Sequence, residues 1–97
     1  MGPFEPPTSP ALEALIGRVV ILDLKSSYVC LGTLASIDPL FYEMTDADLH
    51  DFRDSVATRE VYTYDSARLG IRRNRARVLV RRDEVVAIAL FDDIAES

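Results

Sequence analysis

The stretch IGRVVILDLKSSYVCLGTLASID, residues 16–38, decides the fold. It divides at Lys25-Ser26-Ser27 into two consecutive strands, Arg18 to Leu24 and Tyr28 to Ile37. Val20, Leu22 and Leu24 alternate onto one face of the first strand, the period of a half-buried strand. Gly32 lies inside the second, where a glycine marks a sharp bend or the close approach of another backbone. A second stretch, VLVRRDEVVAI at residues 78–88, has the same character far down the chain.

Upstream of this unit, residues 1–8 are proline-rich and are expected to be a flexible segment. Ser9-Pro10 then starts a short helix of about two turns: Ser9 caps it, and Pro10 fits its first turn. Leu12, Leu15 and Ile16 form its apolar stripe, and Gly17 stops it. Such a short helix needs a surface to pack on.

Downstream, Asp38-Pro39 signals a turn. Leu40 to Thr45 is expected as a third strand, with Leu40, Tyr42 and Met44 on one side and Phe41 and Glu43 on the other. Residues 46–74 interrupt the strand pattern. Asp46 to Ala57 carries Leu49, Phe52 and Val56 near helical spacing, with acids early, which predicts a short helix. Glu60 to Tyr64 alternates as a strand extension does. Asp65 to Asn74, with Gly70, is a turn-rich connection. Arg75 to Arg82 alternates cleanly: Ala76, Val78 and Val80 oppose Arg75, Arg77, Leu79 and Arg81. Asp83-Glu84 makes a tight turn, and Val85 to Phe91 is the last strand.

The 97 residues are 48% hydrophobic and 28% charged, a balance that predicts one globular domain over residues 9–97 and not a disordered chain. A core of this size is modest, so oligomerisation would add stability. The opening MGPFEPPTSP has no basic residue and no apolar run, so no secretory signal is expected, and Pro6 argues against N-myristoylation. No run reaches the ~18 apolar residues of a membrane span. The expected location is cytoplasmic, without membrane contact. The single cysteine, Cys30, excludes an intrachain disulfide and a cysteine-built metal cage, and its apolar strand makes it a small buried hydrophobe.

The net charge of −5 is not that of a default nucleic-acid binder. The charge is unevenly placed, however. Seven arginines (68, 72, 73, 75, 77, 81 and 82) follow eight acids between Asp38 and Asp65. The arginines either meet phosphate oxygens, which their forks match, or pair with the acids within a subunit or across an interface. His50-Asp51 with Asp46, Asp48 and Asp54 is too scattered for a metal site and is expected to be a solvated loop. Tyr62 and Tyr64 are expected in core or interface packing. Ser26-Ser27 has no partner base, and no phosphate loop or metallohydrolase motif occurs. Catalysis, a cofactor and a small-molecule substrate are therefore not expected.

In Leu24-Lys25, Gly32-Thr33-Leu34 and Asp38-Pro39-Leu40-Phe41-Tyr42 the chain resembles the first motif of the Sm and Sm-like family. Val80-Arg81-Arg82-Asp83-Glu84-Val85, followed by Ile88, resembles the second. The resemblance implies an all-β, five-stranded, strongly bent small barrel with an N-terminal helix, here with an insertion at 46–74. It implies a homo-oligomeric ring, of about five to seven subunits, in which the fourth strand of one copy pairs with the fifth of the next. Arg75, Arg77, Val78, Leu79, Val80, Val86 and Ile88 would then lie at the interface. It also implies non-catalytic binding of single-stranded RNA by the loop after the second strand and the loop between the last two. Position by position, that site falls on Asp38, Leu40, Tyr42, Arg81 and Arg82. The family's base-reading Asn is replaced by Tyr42, its stacking side chain by Leu40, and the Gly after the Arg by Arg82. A ring-forming protein-interaction module that has lost RNA binding is the other reading.

Overall fold

The structure is a computed structural model that describes residues 9–51, 53, 62, 63, 65, 66 and 70–93. It has a one-turn helix α1 (Pro10–Glu13) and strands β1 (Val19–Leu24), β2 (Tyr28–Ile37), β3 (Phe41–Asp51), β4 (Arg75–Arg81) and β5 (Val85–Leu90). They form one antiparallel sheet in the order β4-β3-β2-β1-β5. Ser9 caps α1 by accepting the Leu12 N–H at 3.2 Å, and Pro10 takes its first turn, as the sequence predicts. Gly17 then turns the chain at φ 85°, a conformation that only glycine adopts readily.

The two faces of the sheet carry different cores. Val20, Leu22, Leu24, Cys30, Leu34, Tyr42, Met44, Ala47 and Val80 make the larger one, on which Leu12 and Leu15 of the helical turn pack. Ile21, Val29 and Leu31 face the other way, under Tyr62, Ile71 and Phe91. Alternation along β1 produces this division directly.

In β3 the alternation changes phase. Leu31 pairs with Asp48 and Thr33 with Thr45, so two steps on β2 span three on β3. The extra residue is at Asp46, whose φ is +48°. Tyr42 and Met44 before this bulge, and Ala47 after it, therefore all reach the larger core. Asp48 is turned to the opposite face. Gly32 lies against this place on β2. A Cβ on Gly32 would sit 3.0 Å from the Cα and Cβ of Ala47 and from the carbonyl oxygen of Thr45.

The sheet is not closed into a barrel: β4 pairs only with β3, and β5 only with β1. It is nevertheless curled. The 3-10 turn Arg82–Glu84 carries the chain from one edge of the sheet to the other. Four chain steps from Arg81 to Val85 reach at most ~14 Å, so the two edges converge there. Lys25 N–H donates to the Glu84 carbonyl at 2.8 Å and Arg82 N–H to the Leu40 carbonyl at 2.9 Å, which ties this turn to the two other turns at that end. The two edge strands diverge from this crossing without pairing.

The insertion also departs from expectation. Residues 46–51 continue β3, not a helix; their helix-like spacing is a strand's alternation shifted by the bulge. Tyr62 and Thr63 are helical where a strand extension is expected. The remainder of the expected helix to Ala57, apart from Arg53, lies outside the described residues, as do Tyr64 and the proline-rich start. No helix among the described residues is long and apolar enough to cross a membrane.

Gly32→Ala is expected to destabilise the protein by about 1–3 kcal/mol, because its new methyl meets backbone, which cannot rotate away. Urea denaturation checks this: the midpoint should fall with the slope unchanged.

Candidate functional site

The turn after β2 begins at Asp38. Its carboxylate oxygen Oδ1 accepts the N–H groups of Leu40 and Phe41 at 2.8 and 2.7 Å, so the Asp fixes the turn through one oxygen while remaining exposed. This leaves Leu40 at the tip, 69% exposed. The Arg82 guanidinium reaches across from the β4–β5 turn and donates to the Asp38 carbonyl at 2.8 Å. Its carbon lies 5.1 Å from the centre of the Tyr42 ring, a cation–π contact. Arg81 points outward and pairs with Asp83 at 2.8 Å. Between these groups lies a groove of about 470 Å³ lined by Pro39, Leu40, Phe41, Arg81, Arg82 and Asp83.

The structure thus brings Asp38, Leu40, Arg81 and Arg82 to one corner, and it places Tyr42 beneath them. Tyr42 is only 8% exposed and belongs to the larger core. Its ring is a floor for Arg82, and Leu40 is the exposed apolar side chain of the corner.

Of the residues expected at an oligomer interface, Arg75, Arg77 and Leu79 are exposed on β4, with Val78 half-buried and Val80 buried. On β5, Val86 is exposed and Ile88 half-buried. Arg77 pairs with Glu43, which also accepts from the Ser36 hydroxyl at 2.8 Å. The hydrogen bonds from Arg77 and then Ser36 hold the Glu43 carboxyl below its ordinary value. Part of the arginine block is therefore paired with acids of the same chain.

A second polar cluster sits at the far end of β3. Asp48 is 4% exposed and is not in a solvated loop. It accepts from the Tyr62 hydroxyl and from Asn74 Nδ2, the latter at 2.9 Å. His50 stacks on Tyr62 with ring centres 4.2 Å apart. The Asn74 side chain mimics a strand backbone: its Oδ1 accepts the Leu49 N–H at 3.0 Å and its Nδ2 donates to the Leu49 carbonyl at 3.1 Å. It thereby prolongs the β3–β4 ladder by one pair. Sequence reasoning missed Asn74, because nothing in its neighbours marks it as more than a loop residue. Asp51 is held by Arg53 and by the Ser27 hydroxyl, which keep its carboxyl well below the ordinary range.

Burial raises the Asp48 carboxyl above its ordinary value, against the pull of His50 and Arg72. Burial, with the nearby Asp48 charge, pushes the Cys30 thiol up to about 12. A thiol so held is inert near neutrality. No protein-family model matches this chain, and neither a curated protein nor a solved structure does.

Two outcomes follow. Asn74→Ala leaves the Leu49 N–H and carbonyl without their partner, and a loss of about 1–3 kcal/mol in urea denaturation is expected. For Asp48, folding penalises the charged form, so its contribution to stability is best below the ordinary carboxylate value and declines as pH rises through the raised one. The stability of Asp48→Asn relative to wild type should therefore increase with pH across that interval. A difference independent of pH, in parallel melts, would count against a perturbed Asp48.

Proposed function

We propose that this chain is an Sm-like subunit that assembles edge to edge into a homo-oligomeric ring and holds single-stranded RNA without catalysing a reaction on it. The observation that carries this reading is the corner itself. The turn after β2 and the turn between β4 and β5 meet in one groove, at the two places where the chain resembles the family's motifs. Support for the ring comes from the sheet order. β4 and β5 are its two edges, each with one side of its backbone unpaired within the sheet. Pairing β4 of one copy with β5 of the next would satisfy both edges and close the small barrel across subunits. Leu79, 43% exposed, and Val86, 67% exposed, supply apolar area at those edges.

In this reading Arg82 and Leu40 form the platform. A base lies on the guanidinium plane and the Leu40 side chain, which favours stacking over edge reading and so tolerates different bases. Arg81 turns from Asp83 to a phosphate. A specific observation favours a second reading, a ring that serves protein contacts only. Arg77 and Arg81 already have carboxylate partners, and the chain is acidic overall.

The test is a titration of fluorescent oligo-uridine and oligo-adenine at two salt concentrations, with mass measured by multi-angle light scattering. A ring whose affinity falls with salt, and falls on the order of tenfold or more in the Arg81→Ala/Arg82→Ala variant, is expected. A ring indifferent to RNA at low salt selects the second reading. A monomer at micromolar concentration defeats both.

A further inference from the structure

At the other end of β3 from the corner lies a separate cleft of about 440 Å³, within the ~300–1,000 Å³ typical of small-molecule sites. Its lining changes in character from inside to outside. Inside are the carboxylate of Asp48 and the hydroxyl of Ser66, residues only 4% and 6% exposed. Each Asp48 oxygen accepts one hydrogen bond and retains capacity for another. The Ser66 hydroxyl makes no side-chain hydrogen bond among the described residues and opens onto the cleft, where it can donate to a ligand. The stacked rings of His50 and Tyr62 line the cleft beside them. At the mouth are Arg72 and Arg73, both exposed and neither in an ion pair among the described residues.

This arrangement selects a ligand with N–H donors at one end, a flat body and an oxyanion at the other. From it we infer that the cleft binds a guanine 5′-nucleotide, free or as the 5′-phosphorylated end of an RNA. The guanine ring N–H and amino group donate to Asp48. The phosphate meets the forks of Arg72 and Arg73, which match its oxygens. The Ser66 hydroxyl, in the lining beside Asp48, donates to the bound nucleotide. Adenine has no ring N–H on the corresponding edge and fits Asp48 less well. Asp65 is the other acid of the lining, so two cations stand against two carboxylates. That balance suits a monophosphate better than a triphosphate. The site uses none of the residues of the Leu40–Arg82 corner and does not rest on the RNA-ring reading.

Isothermal titration of the full chain tests it, with guanosine monophosphate, adenosine monophosphate, guanosine, inorganic phosphate and a 5′-phosphorylated GUUU tetranucleotide as probes. Guanosine monophosphate is expected to bind at least about tenfold more tightly than adenosine monophosphate, guanosine or inorganic phosphate. Arg72→Ala/Arg73→Ala should reduce it to the level of guanosine, and Ser66→Ala should weaken it, with melting temperatures measured in parallel to establish that both variants are folded. The tetranucleotide binding more tightly than the mononucleotide assigns the site to an RNA end; equal affinity assigns it to the free nucleotide. Inorganic phosphate or adenosine monophosphate binding as tightly as guanosine monophosphate overturns the inference. So does a folded protein that shows no binding at millimolar ligand, or folded variants that bind as wild type does.

Discussion

The contact between Gly32 and the backbone at Thr45 and Ala47 is the constraint on which this structure depends. The space at Gly32 is smaller than a methyl group: a Cβ there would lie 3.0 Å from main-chain atoms of β3. The close approach coincides with the extra residue at Asp46, and a bulge of this kind increases local twist and bends its strand. The larger core lies on one side of this bend, with both the first half of β3 and Ala47 contributing to it. Without the extra residue, the phase of the strand would carry Asp48 into that core and bring Ala47 out of it. One glycine and one left-handed aspartate thus set the bend at this place in the sheet and decide that Ala47, and not Asp48, lines the larger core.

The curl has a second support at the other end of the sheet. Five strands leave two edges, and here the edges are joined covalently by only three residues, Arg82–Glu84. Arg82 serves three purposes in that short turn. Its N–H holds the Leu40 carbonyl, its guanidinium holds the Asp38 carbonyl, and its charge lies over the Tyr42 ring. A glycine at this position would leave the first of these contacts and remove the other two. Arg82 therefore exchanges an open surface over Tyr42 for a fixed cation above it.

How much of this was legible in the sequence depended on whether turn signals bounded each strand. β1, β2, β4 and β5 lie within a residue or so of their expected limits, because turns close them at both ends, and the register shifts inside β2 and β5 do not move those ends. β3 is nearly twice its expected length. The phase change at Asp46 makes Leu49 follow the earlier pattern out of step, and an interrupted period of two reads like a period of 3.6. The turns were marked by Asp38-Pro39 and Asp83-Glu84, so the positions of the two turns at this corner were legible. The position of Tyr42 was legible as well: alternation put it beside Met44, on the buried side, and only its alignment with a base-reading residue suggested an exposed role. Asp48, Ser66 and Asn74 were not legible. Their environment depends on the bulge and on a helical segment whose place against β3 no local pattern encodes.

The same bulge connects the two polar regions of the molecule. By turning Asp48 to the face opposite the larger core, it places a carboxylate where an apolar side chain would otherwise lie, beneath Tyr62 and beside Asn74. A buried carboxylate is costly unless it is hydrogen-bonded, and these two donors make it tolerable. They also draw the Tyr62 segment and the approach to β4 onto the sheet, which forms the cleft. At the start of β3 the phase before the bulge buries Tyr42 and thereby gives Arg82 its seat. One strand with a single change of phase therefore builds an arginine-topped corner at one end and an acid-floored cleft at the other, and a substitution that alters the phase must disturb both.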